Sequence, residues 1–423
     1  MTVADSRKRT EAENPALLAA AFDLKKLSVE FLADPYPTYR ALRQFDPVHR
    51  MPDGSYFLTR YDDCLSVYRG TETWSSDKKI DFRPNFLASL LYEHHTTSLV
   101  FNDPPYHTRV RKLLAPAFTP RALRALQYRI ENLVDRLLGV AAKKGEIDLI
   151  ADFASAIPVQ LIGDMLGIPH DERGPLRRWS LAILGALEPV LRREQFETGV
   201  AAVADFKSYL DNIISDRLRT GHNDSAEILG KLIEASDYVA QANDNERLSK
   251  LELIHNCIFL LNAGHETTTN LIGNAVDLLV RHPDAMRDLR DHPDAVETAV
   301  EEFLRMESSN QLGNRRAVED TALGGLAIPA GSYVHICIGA ANRDPQQFAE
   351  PDRLDIRRQP NRHLAFGTGI HACAGMSLAR MEAQVAVSRL LQRFGSIEPS
   401  GAAVRSGRAR FRGFISYPVR LSA

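Results

Sequence analysis

The stretch HLAFGTGIHACAG, residues 363–375, sets a single cysteine, Cys373, inside a glycine-rich turn. Gly367, Gly369 and Gly375 permit backbone conformations and close approaches that a side chain would block, at an entropic cost a plain connector need not carry. The residues that follow, from Met376 to Phe394, lack Gly and Pro and set Leu378, Val385, Leu390 and Leu391 among Arg, Glu and Gln, which reads as an amphipathic helix. Cys373 therefore stands near a helix N-terminus, where the dipole and free N–H groups favour an anion and draw the thiol toward the thiolate, the form that ligates metals. Taken alone, the residues leave other readings open. A free cysteine often simply packs, and a cysteine nucleophile is a further reading. Structural zinc needs four ligands where His371 and Cys373 offer two.

Working outward, 423 residues with 44% hydrophobic and 25% charged content describe a globular chain long enough to bury a large core. A formal net charge of -2 gives no reason to expect nucleic acid. Cys64, Cys257, Cys337 and Cys373 are widely scattered, which suits a reducing compartment better than a disulfide framework. The N-terminal segment lacks a clear signal-peptide core, and no run approaches the ~20 apolar residues of a membrane span.

The stretch around Cys373 resembles the F-G-x-G-x-H-x-C-x-G signature of the cytochrome P-450 family, matched at Phe366, Gly367, Gly369, His371, Cys373 and Gly375. The resemblance implies a mainly α fold with small β-sheets, in which a long central helix lies over a haem and the cysteine loop lies on the opposite face. It implies haem b with Cys373 as the axial ligand to iron, His371 near a propionate, and Phe366 and Gly367 in the cofactor-binding loop. A thiolate ligand pushes electron density onto the iron and favours O–O cleavage. On this reading residues 1–20 are a polar tail and 21–423 a single domain of the soluble bacterial type, cytoplasmic and monomeric.

Along the chain, Pro35 to Arg43 reads as a short helix, and Val48 to Thr59 as a hairpin about the turn at 52–55. Residues 79–100 show no clean period; in the family this region caps the substrate pocket. Asp103 is suited to cap a helix with Pro104 at its first position. His107, Arg109, Arg111 and Lys112 then put positive charge in the first turns, the wrong sign for the dipole, so an anionic partner would explain them. The segment resembles the family's D-P-P-x-H-x-x-x-R, which implies that His107 and Arg111 bind haem propionates. Arg109 and Lys112 point elsewhere and suit an acidic electron-transfer partner.

Helical patterns dominate from Leu123 to Ile233, and Lys250 to Val280 reads as a long buried helix with a polar notch, AGHETT at 263–268. Gly264 costs ~1 kcal/mol against Ala in a helix interior, and threonine hydroxyls compete for backbone carbonyls and bend the helix. The notch resembles the family's A-G-x-D/E-T-T oxygen-binding segment, placing the catalytic acid at Glu266 and the alcohol at Thr267. The same likeness implies a substrate pocket with Phe259, Asn262 and Ala263 from this helix, together with Arg83 and Gln311. Glu302 and Arg305, alone, would be a surface salt bridge. Set 71 residues before Cys373 with Pro-Asp-Arg at 351–353 between, they resemble the E-x-x-R and P-x-R elements, which implies a buried network of Glu302, Arg305 and Arg353. Arg315 falls in the segment whose arginine meets the second propionate, with Arg316 a rival.

The function implied is a haem monooxygenase that inserts one oxygen atom of O2 into a small organic substrate by hydroxylation or O-dealkylation. Electrons would come from NAD(P)H through ferredoxin reductase and a separate ferredoxin. The alternatives are a peroxygenase driven by hydrogen peroxide and a non-catalytic haem-thiolate binding or sensor protein.

Overall fold

The computed structural model describes residues 14–220, 228–236 and 247–422. Its principal helices, in chain order, are α1 (Pro15–Ala20), α2 (Tyr36–Phe45), α3 (Tyr61–Arg69), α4 (Lys79–Phe86), α5 (Leu90–Thr97), α6 (Tyr106–Leu114) and α7 (Pro120–Lys144). Then follow α8 (Ala156–Met165), α9 (Leu176–Gly185), α10 (Arg193–Thr220), α11 (Lys250–Arg281), α12 (Val296–Met306) and α13 (Met376–Arg393). The strands used below are β1 (Val48–Arg50), β2 (Tyr56–Leu58), β3 (Trp74–Ser75), β4 (Glu146–Asp148), β5 (Leu312–Ala317), β6 (Tyr333–Cys337), β7 (Ser396–Pro399) and β8 (Pro418–Ser422). Part of the polar tail expected over residues 1–20, namely 1–13, lies outside the described residues; Pro15–Ala20 is helical, with the Asn14 side chain accepting from the Ala16 N–H. Among the described residues no helix is long and apolar enough to cross a membrane.

The chain forms two compact units. The first comprises the described residues up to Ser75, Arg281–Cys373 and Arg405–Gly413. Its sheet has the order β1-β2-β6-β5-β3, mixing an antiparallel hairpin (Val48↔Leu58) with a parallel β2–β6 pair (Phe57↔His335). Val48, Leu58, Val334 and Ile336 are buried in one cluster with Val67 and Trp74. Each fully buried aliphatic side chain contributes about 1.5 to 3 kcal/mol.

The second unit comprises Ser76–Val280, Ala374–Val404 and the residues from Phe414. On α7, Ile130, Val134, Leu138 and Ala141 recur at helical spacing and are buried. The exposed side of the same helix meets α13 through Glu131, 3.4 Å from Arg389. A small antiparallel sheet, β4-β8-β7, closes this unit with Val419 paired to both Ile147 and Pro399.

Three local expectations change. Residues 79–100, without a readable period, form α4 and α5, whose buried side chains Phe82, Phe86, Leu91, His94 and His95 mix aromatic and polar types too freely for a hydrophobic stripe. Asp103 does not cap α6; its carboxylate accepts the Ser76 N–H at 2.8 Å instead. Arg109 does not face outward to a partner: it donates to Glu252 Oε1 at 2.5 Å and to the Arg247 carbonyl, tying α6 to the first turn of α11.

Candidate functional site

In the first unit, a buried ion pair is the anchor. Arg305 donates through Nε and Nη2 to the two oxygens of Glu302, both at 2.7 Å, and both side chains are 0% exposed. A buried pair of this kind is destabilising to break, because the surviving charge is left in the interior. Glu302 also accepts from the Asp355 N–H at 2.9 Å, from Arg358 Nε at 3.1 Å and from Asn361 Nδ2 at 3.1 Å. Arg353, expected in this network, enters only through its carbonyl, which accepts from Arg305 at 3.2 Å; its own guanidinium pairs with Glu350 on the surface. Arg358 is the cation that takes the place proposed for it.

From that anchor a chain of bonds reaches the cysteine. Arg305 Nη1 donates to the Asn342 carbonyl at 2.9 Å, and the Asn342 side-chain oxygen accepts the Leu364 N–H at 2.7 Å. The Gly367 N–H then donates to Leu364, and the Cys373 N–H to Phe366, both at 2.9 Å. Gly367 and Gly369 have φ of +62° and +71°, the left-handed region where a side chain is strained. A Cβ on Gly369 would also come within 2.9 Å of the Tyr68 carbonyl oxygen. Tyr68, at the end of α3, is shared with β5: the Arg315 guanidinium lies 5.4 Å from its ring centroid. Alternation along β5 sends Arg316 the other way, to the Gly331 carbonyl. His371 follows in a short 3-10 turn and is half-buried.

These residues fit the haem that the signature implies. Cys64, Cys257 and Cys337 are buried, and burial pushes the last two thiols up to about 12; Cys373 alone is half-buried, on a loop pinned at both ends. Among the described residues no group of three or more His, Cys, Asp or Glu could hold a bare ion. A single thiolate therefore suits a metal that brings its own macrocycle of ligands.

In the second unit, α11 separates two sets of residues. Phe259, Ala263 and Thr267, four residues apart, are partly accessible, whereas Asn262 and Glu266, on a neighbouring face, are buried. The Thr267 hydroxyl donates to the Ala263 carbonyl at 2.5 Å, the back-bond expected of a threonine inside a helix. Gly264 leaves room for α8: a Cβ there would sit 2.5 Å from Ile162 Cδ1. Asn262 is 1% exposed, and neither atom of its amide finds a partner among the described residues. His265 is buried too, and burial, with the nearby Arg177, pushes its pKa down to about 3, so it is neutral. On α6, His107 is buried and Arg111, four residues on, half-buried.

The remaining pocket candidates, Arg83 and Gln311, belong to different units. Arg83, on α4, is exposed and lines an open cavity of about 720 Å³ with Lys79, Ile80, Pro84, Leu87 and Tyr92. Gln311 is interior to the first unit; its nitrogen donates to the Ser308 carbonyl at 2.7 Å, and its oxygen stands where a Cβ on Gly339 would be. Sequence reasoning missed Asn342, Arg358 and Tyr68, whose roles rest on contacts between segments far apart in the chain.

The sequence profile described as Cytochrome P450 matches residues 43–411. Vitamin D(3) 25-hydroxylase of Pseudonocardia autotrophica is 39% identical over 367 residues, 85% of this chain and 86% of that protein. Cytochrome P450 monooxygenase PikC of Streptomyces venezuelae is 36% identical, with 98% and 96% covered. The solved structure of P450BioI with hexadec-9Z-enoic acid ligated acyl carrier protein superposes with a TM-score of 0.86 at 32% identity, covering 93% of this chain and 99% of that one.

Proposed function

The chain belongs to the cytochrome P450 family, a family of oxidoreductases that bind haem b, act on small molecules and need redox partners, and from that premise we propose the reaction and residue roles that follow. The protein inserts one oxygen atom of O2 into a small organic substrate, by hydroxylation or O-dealkylation. Electrons come from NAD(P)H through ferredoxin reductase and ferredoxin, and the protein works as a monomer in the cytoplasm. The observation that carries this reading is Cys373, half-buried at the end of a bond chain that starts from the buried Glu302–Arg305 pair.

Haem held by a thiolate supplies the dioxygen activation and oxygen insertion. Cys373 would hold its iron, in a loop whose shape is set by Gly367 and Gly369. Arg315 and His371, and His107 and Arg111 on α6, would take its propionates, anions suited to these donors. Thr267 and Glu266 would govern protons. To hand one on, the Thr267 hydroxyl has to exchange its bond to Ala263 for a water, while Glu266 one residue earlier would relay protons from solvent.

An oxygen-bearing substrate suits the polar groups available. Vitamin D(3) and a hexadecenoic acid, named for the relatives, are large apolar molecules that carry oxygen. Phe259 and Ala263 offer an apolar face, and Asn262 has a buried amide to satisfy, since leaving it without a partner costs about 1 to 3 kcal/mol. Arg83 offers a cation at the open cavity on α4. Gln311 contributes through the backbone it props.

The test is turnover with a surrogate ferredoxin system under isotopically labelled dioxygen. One labelled oxygen per turnover is expected, in the hydroxylated product or, for O-dealkylation, in the carbonyl fragment released. Product formed only with added peroxide, or no product with any substrate that shifts the haem spectrum, would overturn the reading.

A further inference from the structure

Helix α5 carries Glu93, His94 and His95 in succession, and His255 of α11 stands against them. His94 Nδ1 and His255 Nδ1 are 3.3 Å apart, and His255 Nε2 is 2.9 Å from Glu93 Oε1. Lys207 of α10 donates to the same Glu93 oxygen at 3.2 Å. The chain thus runs from the half-exposed Lys207 and Glu93 to two histidines that are 0% and 2% exposed.

The partners fix the protons. An ionised carboxylate only accepts, so neutral His255 carries its hydrogen on Nε2 and presents a lone pair at Nδ1, to which His94 donates from its own Nδ1. One added proton still leaves a donor and an acceptor, since His94 can move its own hydrogen to Nε2 and accept from His255; with both rings protonated, N–H stands against N–H. Burial, then His95 and His255, holds the His94 pKa well below its ordinary 6.5. Burial likewise lowers His255, with Lys207 adding to that and Glu93 opposing it.

The same helix is clamped by other contacts. A Cβ on Gly199 of α10 would lie 3.0 Å from Leu91 Cδ1, so the two helices approach closely there. Asn256, next to His255, accepts the Leu99 N–H at 3.0 Å. His95 packs among the rings of Phe82, Phe86 and Phe101, which bring no charge. Tyr92 donates to the Lys79 carbonyl, and both line the 720 Å³ cavity, so what holds α5 also shapes that cavity.

We propose that Lys207, Glu93, His255 and His94 form an acid-sensitive latch, which holds α5 to α10 and α11 until both histidines are protonated and then lets it go, reshaping the open cavity on α4 and α5. Because both pKa values lie below the ordinary histidine value, the latch is closed at neutral pH and releases only in acid.

Hydrogen exchange of the purified protein tests this from about pH 7.5 down to about pH 4, corrected for the intrinsic pH dependence of exchange. Residues 90–101 should lose protection in acid while residues 130–141 on α7 keep theirs. Two substitutions at half-exposed positions should move the midpoint in opposite directions: Glu93→Gln to lower pH, because a charge that favours protonated His255 is gone, and Lys207→Met to higher pH, because an opposing charge is gone. Simultaneous loss over both segments would mean acid unfolding and overturn the latch. So would a midpoint that neither substitution moves, or that both move the same way.

Discussion

The hydroxyl of Thr267 is held by the carbonyl of Ala263, 2.5 Å away and one turn back along α11. Removing it frees a carbonyl on the partly accessible face without disturbing the helix ladder. Thr267→Ala should keep haem content and substrate affinity but form less product per NADH and more peroxide. Glu266→Gln should slow turnover instead. Equal coupling in Thr267→Ala and the parent would show that the threonine only bends the helix.

The Glu302 network separates two arginines five residues apart. Arg358 donates to a fully buried carboxylate, so Arg358→Ala should cost about 1.5 to 3 kcal/mol, read from urea denaturation. Arg353 pairs with Glu350 on the surface, and Arg353→Ala should stay within about 0.5 kcal/mol. The reverse ranking would return Arg353 to the network.

Gly369 combines a positive φ with a close approach to the Tyr68 carbonyl. Gly369→Ala should strain the loop by about 1 to 3 kcal/mol and loosen haem retention, measured as haem lost on dilution, while the helices stay intact by circular dichroism. Unchanged retention would mean that the loop tolerates a side chain there.

Acid sensitivity should have a second source in His265. Its folded pKa, about 3, lies below the ordinary 6.5, so the unfolded chain binds more protons between those values and stability falls as pH falls through that window. Neither ring nitrogen has a partner among the described residues. His265→Leu should therefore leave stability at neutral pH equal or higher and flatten its decline in acid. An unchanged slope of denaturation midpoint against pH would count against this.

What the sequence made legible is what is local. The cysteine turn, the helix after it, the hairpin at 48–59 and the long helix from Lys250 follow from glycine spacing and periodicity, and α11 runs Lys250–Arg281 where the pattern predicts 250–280. What stayed hidden depends on contacts across the chain. Arg109 looks like a free cation at a helix start until Glu252, 143 residues later, is folded against it. Glu302 and Arg305 at helical spacing look by themselves like a surface pair, and it is the resemblance, not the spacing, that implies the burial the fold has. Arg358 carries no signal of its own beside the better-spaced Arg353. The place of Asn262 in the helix suggests a pocket residue; its burial and its unsatisfied amide emerge only from the fold.

The central claim is that Cys373 supplies a thiolate to haem iron, and the reduced carbon monoxide difference spectrum tests it most directly. The parent should show the long-wavelength band characteristic of thiolate ligation, and Cys373→Ala should lose it while keeping its secondary structure. A histidine-type spectrum in active parent protein, or a thiolate-type band that persists in Cys373→Ala, would contradict the account.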